Sequence, residues 1–150
     1  MLGGNHPKAF ENPLLRSGLI LSGGNRQYAA AENTLPEGVE DGILTADEIT
    51  RLNLIKTGLV TLSACETGLG EVENSEGVFG LQRAFKLAGV ETLIMSLWQV
   101  DDAATSLLMT AFYREWLSGK TKQEAFKMAQ QQVRKNQAAA FYWAAFVMID

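Results

Sequence analysis

The chain has 150 residues, 47% hydrophobic and 20% charged, which fits one globular domain and argues against intrinsic disorder. Seventeen acids against 13 bases give a net charge of −4, with no basic stripe of the kind a phosphate-reading surface needs, so nucleic-acid partners are disfavoured. One cysteine and one histidine exclude an intramolecular disulfide, a Cys/His zinc cluster and a helical H-E-x-x-H site. No EF-hand loop supports an all-oxygen cation site, so neither metal nor cofactor is expected.

In chain order, residues 1–10 lack the apolar run and cleavage pattern of a signal peptide. Residues up to 17 read as irregular, with Pro7 and Pro13. Leu19-Ile20-Leu21, between Gly18 and Gly23-Gly24, predicts a short strand closed by a turn. Residues 23–41 predict an exposed loop. Thr45-Ala46-Asp47-Glu48 is a capping box, which predicts a short helix over roughly 46–51.

Residues 58–64 form an apolar, partly β-branched run that ends at Cys65 and reads as a buried parallel strand. A glycine-punctuated loop, 68–77, leads into a helix whose Val78, Leu81, Phe85 and Ala88 make one apolar stripe, stopped by Gly89. Residues 91–97 are the next buried strand. Asp101 caps a helix lined by Leu108, Phe112 and Trp116, and Gly119 ends it. Thr121-Lys122-Gln123-Glu124 is a second capping box, opening a helix with Phe126, Ala129 and Val133 inward. The last strand is expected over 144–149. Phe141, Tyr142, Trp143 and Phe146 are assigned to core and strand packing.

The longest apolar run, 138–149, has twelve residues, against the roughly 20 that span a bilayer. The expectation is a soluble cytoplasmic protein without a membrane partner. From residue 58 the order strand, helix, strand, two helices, strand predicts an α/β layered fold with a mostly parallel sheet. Sites in such sheets lie at the carboxyl ends of strands. Cys65 and the turn at 98–102 both fall at such ends, which would make them neighbours.

The sharpest chemical feature is Ser63-Ala64-Cys65-Glu66-Thr67-Gly68, a thiol where a buried strand enters a glycine turn. Such a position suits a nucleophile, provided a base or a positive dipole generates the thiolate. The alternative from spacing alone is a buried structural cysteine. Glu66, Glu71, Glu73 and Glu76 surround the loop that follows. They suit either a basic peptide or a solvated loop, and they disfavour a low thiol pKa. The glycine-rich stretch 68–80 lacks G-K-[ST], which argues against nucleotide binding.

The stretch Leu62-Ser63-Ala64-Cys65-Glu66-Thr67-Gly68-Leu69-Gly70-Glu71 resembles the nucleophile motif of CHAT domains, bacterial relatives of caspases and separase often found behind tetratricopeptide repeats. The likeness extends upstream to Asn12-Pro13-Leu14-Leu15-Arg16-Ser17-Gly18 and to Asp41-Gly42-Ile43-Leu44-Thr45-Ala46. Downstream it runs through Glu76-Gly77-Val78-Phe79-Gly80-Leu81, Ser96-Leu97-Trp98-Gln99-Val100-Asp101-Asp102 and Tyr142-Trp143-Ala144-Ala145-Phe146.

The resemblance implies a caspase-like α/β/α sandwich and a cysteine peptidase with Cys65 as nucleophile, acting on a protein or peptide through an acyl-enzyme. The Cys65 amide would supply one oxyanion donor. The family's base, a histidine followed by glycine, has no counterpart here. The expectation is therefore a single partial CHAT domain over 1–150, lacking the family's first strands and inactive alone. A tetratricopeptide-repeat region or a complementing chain is the expected partner; a non-catalytic interaction partner and an orphan fragment are the alternatives. His6 lies 59 residues before Cys65, but it precedes proline and follows no apolar strand, so it reads as a surface histidine. The turn at 98–102 resembles a separase segment whose aspartate helps bind a basic side chain. By that likeness Asp102, with Asp101 beside it, contacts substrate. The plainer reading of both acids is the start of a helix.

Overall fold

A computed structural model describes residues 13–15, 17–22, 24, 41–63 and 76–150. They fall into two compact units, one within residues 1–52 and 67–88, the other within 53–66 and 89–150.

In the first unit a 3₁₀ turn at Pro13–Leu15 precedes strand β1 (Gly18–Ile20), which pairs antiparallel with β2 (Ile43–Thr45). β2 was not expected from sequence: three residues carry too little periodicity, and its pairing to β1 is set at a distance. Helix α1 (Ala46–Ile49) begins at the expected capping box. The Thr45 backbone N–H and hydroxyl both donate to Glu48 Oε2 at 2.8 Å, and the Glu48 N–H donates back to Thr45 Oγ1 at 3.3 Å. The backbone hydrogen bond, more than any other contact, holds the Glu48 carboxyl below its ordinary pKa. Helix α2 (Glu76–Leu87) packs beside α1 through the expected stripe: Leu81, Phe85 and Ala88 are buried.

The second unit holds a three-stranded sheet in the order β3 (Leu59–Leu62), β4 (Thr92–Ser96), β5 (Phe146–Ile149). β3 and β4 are parallel, with Leu59 opposite Thr92 and Leu62 opposite Met95. All five residues of β4 are buried, as the apolar run predicted. Gly89 adopts φ +100°, and a Cβ there would meet Ile55 Cγ1 at 2.8 Å, so only glycine fits this stop.

The fold is α/β, but the sheet is mixed rather than mostly parallel: β5 runs antiparallel to β4, with Ser96 opposite Phe146. The cause is the number of intervening helices. α3 (Asp102–Leu117) leads away from the end of β4, and α4 (Lys122–Asn136) brings the chain back. Two helices return it to the edge it left, so the next strand must run the opposite way. α3 closes on Gly119, whose N–H bonds Trp116 O while Lys120 N–H reaches Glu115 O, a Schellman arrangement. α4 opens with the second capping box, both halves formed.

Leu108 and Phe112 of α3 and Phe126, Ala129 and Val133 of α4 build one core with Ile94 of β4 and Phe146 of β5. Phe112 is fully buried, edge-on to Phe126 at 6.2 Å and stacked on Trp116 at 5.8 Å. A short helix α5 (Ala140–Trp143) precedes the last strand, where core and strand packing were expected of Phe141, Tyr142 and Trp143. Gln130 Nε2 holds it by donating to the carbonyls of Trp143 and Phe146, and Arg134 lies 5.3 Å over the Trp143 ring.

The N-terminal edge of the parallel pair is closed by polar contacts. Lys122 Nζ donates to Gly58 O at 2.7 Å and to Thr92 Oγ1 at 3.2 Å, and pairs with Glu91 at 3.1 Å. Asp150 accepts from the Thr92 hydroxyl and from Gln123 Nε2. One lysine thereby ties the starts of β3, β4 and α4 together.

Candidate active site

At the C-terminal edge, β3 ends at Leu62 and β4 at Ser96, side by side. Ser63 is exposed where the chain leaves β3, two positions before Cys65 in the sequence. Cys65 lies outside the described residues, as do His6, Glu66, Glu71 and Glu73; Glu76 opens α2. The acids of the 98–102 turn are therefore the expected site residues whose side chains can be followed.

After β4 the Leu97 N–H donates to Ala145 O at 2.8 Å, tying the turn to the approach of β5. Val100 is buried and anchors the turn to the core. Asp101 is the N-cap of α3: its Oδ1 accepts from the Ala104 N–H at 2.8 Å, with extended backbone at φ −63° and ψ 151°. That oxygen is engaged in the helix start. Asp101 caps the helix, and both it and Asp102, the first residue of α3, are exposed. A carboxylate in the first turn also sits favourably in the helix dipole.

The same edge carries aromatic rings. Of those that sequence reasoning placed in the core, Phe146 is buried as expected but Phe141 is 52% exposed; Trp98, in the turn, is 36% exposed. Trp98 Nε1 donates to the Phe141 carbonyl at 2.9 Å, and the two rings stack with centroids 6.1 Å apart at 29°. Residues 138–140 are three alanines, the best helix formers. That signal favours a helical turn, in which Phe141, Tyr142 and Trp143 point about 100° apart and cannot all face the core.

Among the described residues, no group of three His, Cys, Asp or Glu side chains could hold a metal ion, and no helix is long and apolar enough to cross a membrane.

Comparison with known proteins extends these observations. Tetratricopeptide repeat protein 28 of Homo sapiens is 32% identical over 113 residues, 74% of this chain. The Mus musculus protein of the same name is 32% identical over 109 residues, 71% of the chain. The matched part is 4% of each relative's length, so the chain spans a small fraction of these proteins. Their names tie such sequences to tetratricopeptide repeats. The CHAT domain family matches over residues 5–150, nearly the whole sequence and both sides of the Cys65 motif. The chain belongs to the CHAT domain family.

Proposed function

We propose that this chain carries the nucleophile of a caspase-like cysteine peptidase and hydrolyses peptide bonds only when a histidine from outside these 150 residues joins it. The observation that carries the reading is the shared edge of β3 and β4. Two parallel strands end together there, with Leu62 opposite Met95. In sequence, one continues into Ser63-Ala64-Cys65 and the other into the acidic turn at 98–102. Ligand sites in open α/β sheets lie at such carboxyl ends.

In this reading the Cys65 thiolate attacks the scissile carbonyl, forming the C–S bond and an oxyanion. The C–N bond then breaks, the amine leaves with a proton, and water hydrolyses the thioester. The base is needed twice, to take the thiol proton and to hand a proton to the leaving amine. The only histidine, His6, is followed by proline rather than glycine. Asp102 offers a carboxylate to a basic side chain of the substrate, as a charge-assisted hydrogen bond. A tetratricopeptide-repeat region, as the relatives' names suggest, or a complementing chain brings base or substrate. The lone cysteine suits a cytoplasmic, reducing setting.

The test is hydrolysis of arginyl and lysyl peptide amides by this chain and by Cys65→Ala. The two should be indistinguishable. Turnover that depends on Cys65 would show that the base lies within these residues, and would refute the reading.

A further inference from the structure

Asp41-Gly42 is the one place in the sequence where an aspartate or asparagine is followed by glycine. The pair immediately precedes β2. Gly42 has no Cβ to shield its main-chain nitrogen from the Asp41 side chain, and its φ of 74° lies in the region that glycine enters freely. The Asp41 carboxylate is folded back along its own main chain: Oδ1 accepts from the Ile43 N–H at 2.8 Å, spanning Gly42. Among the described residues, none accepts the Gly42 N–H, whereas the Gly42 carbonyl is held by the Leu21 N–H at 2.7 Å. Asp41 and Gly42 are both half-buried, so water reaches them.

We propose that Asp41-Gly42 is a site of spontaneous covalent modification, at which Asp41 closes to a succinimide and reopens as isoaspartate. In the closure the Gly42 nitrogen attacks Asp41 Cγ. The N–Cγ bond forms, a Cγ–O bond of the protonated carboxyl breaks, and its hydroxyl leaves as water with the amide proton. Water then adds to one of the two ring carbonyls. Addition at Cγ restores aspartate. Addition at the main-chain carbonyl breaks that carbon's bond to the Gly42 nitrogen, and the chain then runs through Cβ and Cγ. Because the reaction is intramolecular, a carboxyl held beside the attacking nitrogen removes much of the entropic cost. The Ile43 N–H, already on Oδ1, is placed to stabilise the negative charge that develops there.

The product bears on the first unit. Its main chain gains one carbon just before β2, where Ile43 faces Ile20. Gly42 also lies so close to the turn after β1 that a Cβ on Gly24 would meet its carbonyl oxygen at 2.6 Å. A longer link cannot keep both the Gly42–Leu21 hydrogen bond and the β1–β2 register, so isomerisation loosens this pair of strands.

The test follows the full chain at neutral pH in heavy-oxygen water. Each succinimide that reopens takes one oxygen from solvent, so the Asp41 peptide gains the label whichever product forms. Peptide mapping reads both the label and the isoaspartate, with Asp47, Asp101 and Asp102 in the same digest as controls. The label is expected at Asp41 and at none of the controls, and at least as fast in the folded chain as in urea. Asp41→Glu keeps the charge but closes only to a less accessible six-membered ring, and should lose the labelling. Asp41→Asn, with ammonia as the leaving group, should react faster. In the isomerised fraction the Leu21 N–H should exchange with deuterium faster than in the parent. Equal labelling of the control aspartates would overturn the proposal. So would labelling of Asp41 only after unfolding in urea, since the fold would then shield the pair rather than present it.

Discussion

Joining this chain to a segment bearing the family's His-Gly pair is expected to raise Cys65-dependent peptide hydrolysis by about 10²–10⁴-fold over the chain alone. That range is the usual contribution of a positioned general acid–base group. The gain should appear in kcat more than in KM, because proton transfer stabilises the transition state rather than the bound substrate. It should vanish in two controls, the joined protein with Cys65→Ala and the joined protein with its added histidine replaced by alanine. A joined, folded protein that hydrolyses no faster than either control would remove Cys65 from the role of nucleophile. It would favour a non-catalytic interaction role for this CHAT domain.

The second large effect concerns the scaffold. Phe112→Ala is expected to destabilise the second unit by about 3–5 kcal/mol, the usual cost of deleting a fully buried aromatic side chain. Phe112 is 0% exposed and touches the rings of Tyr113, Trp116 and Phe126, so its loss empties the seam between α3 and α4. Leu117, five residues further along the same helix and 81% exposed, is the control; Leu117→Ala should stay within about 0.5 kcal/mol of the parent. Urea midpoints at constant slope measure both. Equal midpoints for the two variants would mean that the α3–α4 seam is not the core described. Small domains have about 5–15 kcal/mol in all, so Phe112→Ala should also lower yield and raise protease sensitivity.

The local features were legible because their causes are local. Both capping boxes, the Asp101 cap and the glycine stops at Gly89 and Gly119 depend on side chains and backbone within four residues. The stripes of α2, α3 and α4 followed from helical spacing alone. β2 was missed because Ile43-Leu44-Thr45 is ordered by β1, over twenty residues away. The direction of β5 was misread although its cause is countable, since two helices after β4 return the chain to the edge it left. Phe141 was misplaced because an apolar run of twelve residues reads as buried, whereas Ala140–Trp143 within it folds as a helical turn that turns one ring outward. In the site, Asp101 was legible as the cap and Asp102 as the first helical turn, and the hydrogen bond from the Ala104 N–H to Asp101 bears out the cap.

Because Cys65 is the only thiol in the chain, its alkylation rate as a function of pH tests most directly whether a nucleophile stands here without its base. A cysteine without a paired imidazole, near Glu66 and Glu71 in sequence, should react slowly at neutral pH. Its rate should climb through the ordinary thiol range, around pH 8.5 or above. A rate that has already reached its plateau below about pH 7 would mean that a base or a positive dipole inside this chain already stabilises the thiolate, and would contradict the account.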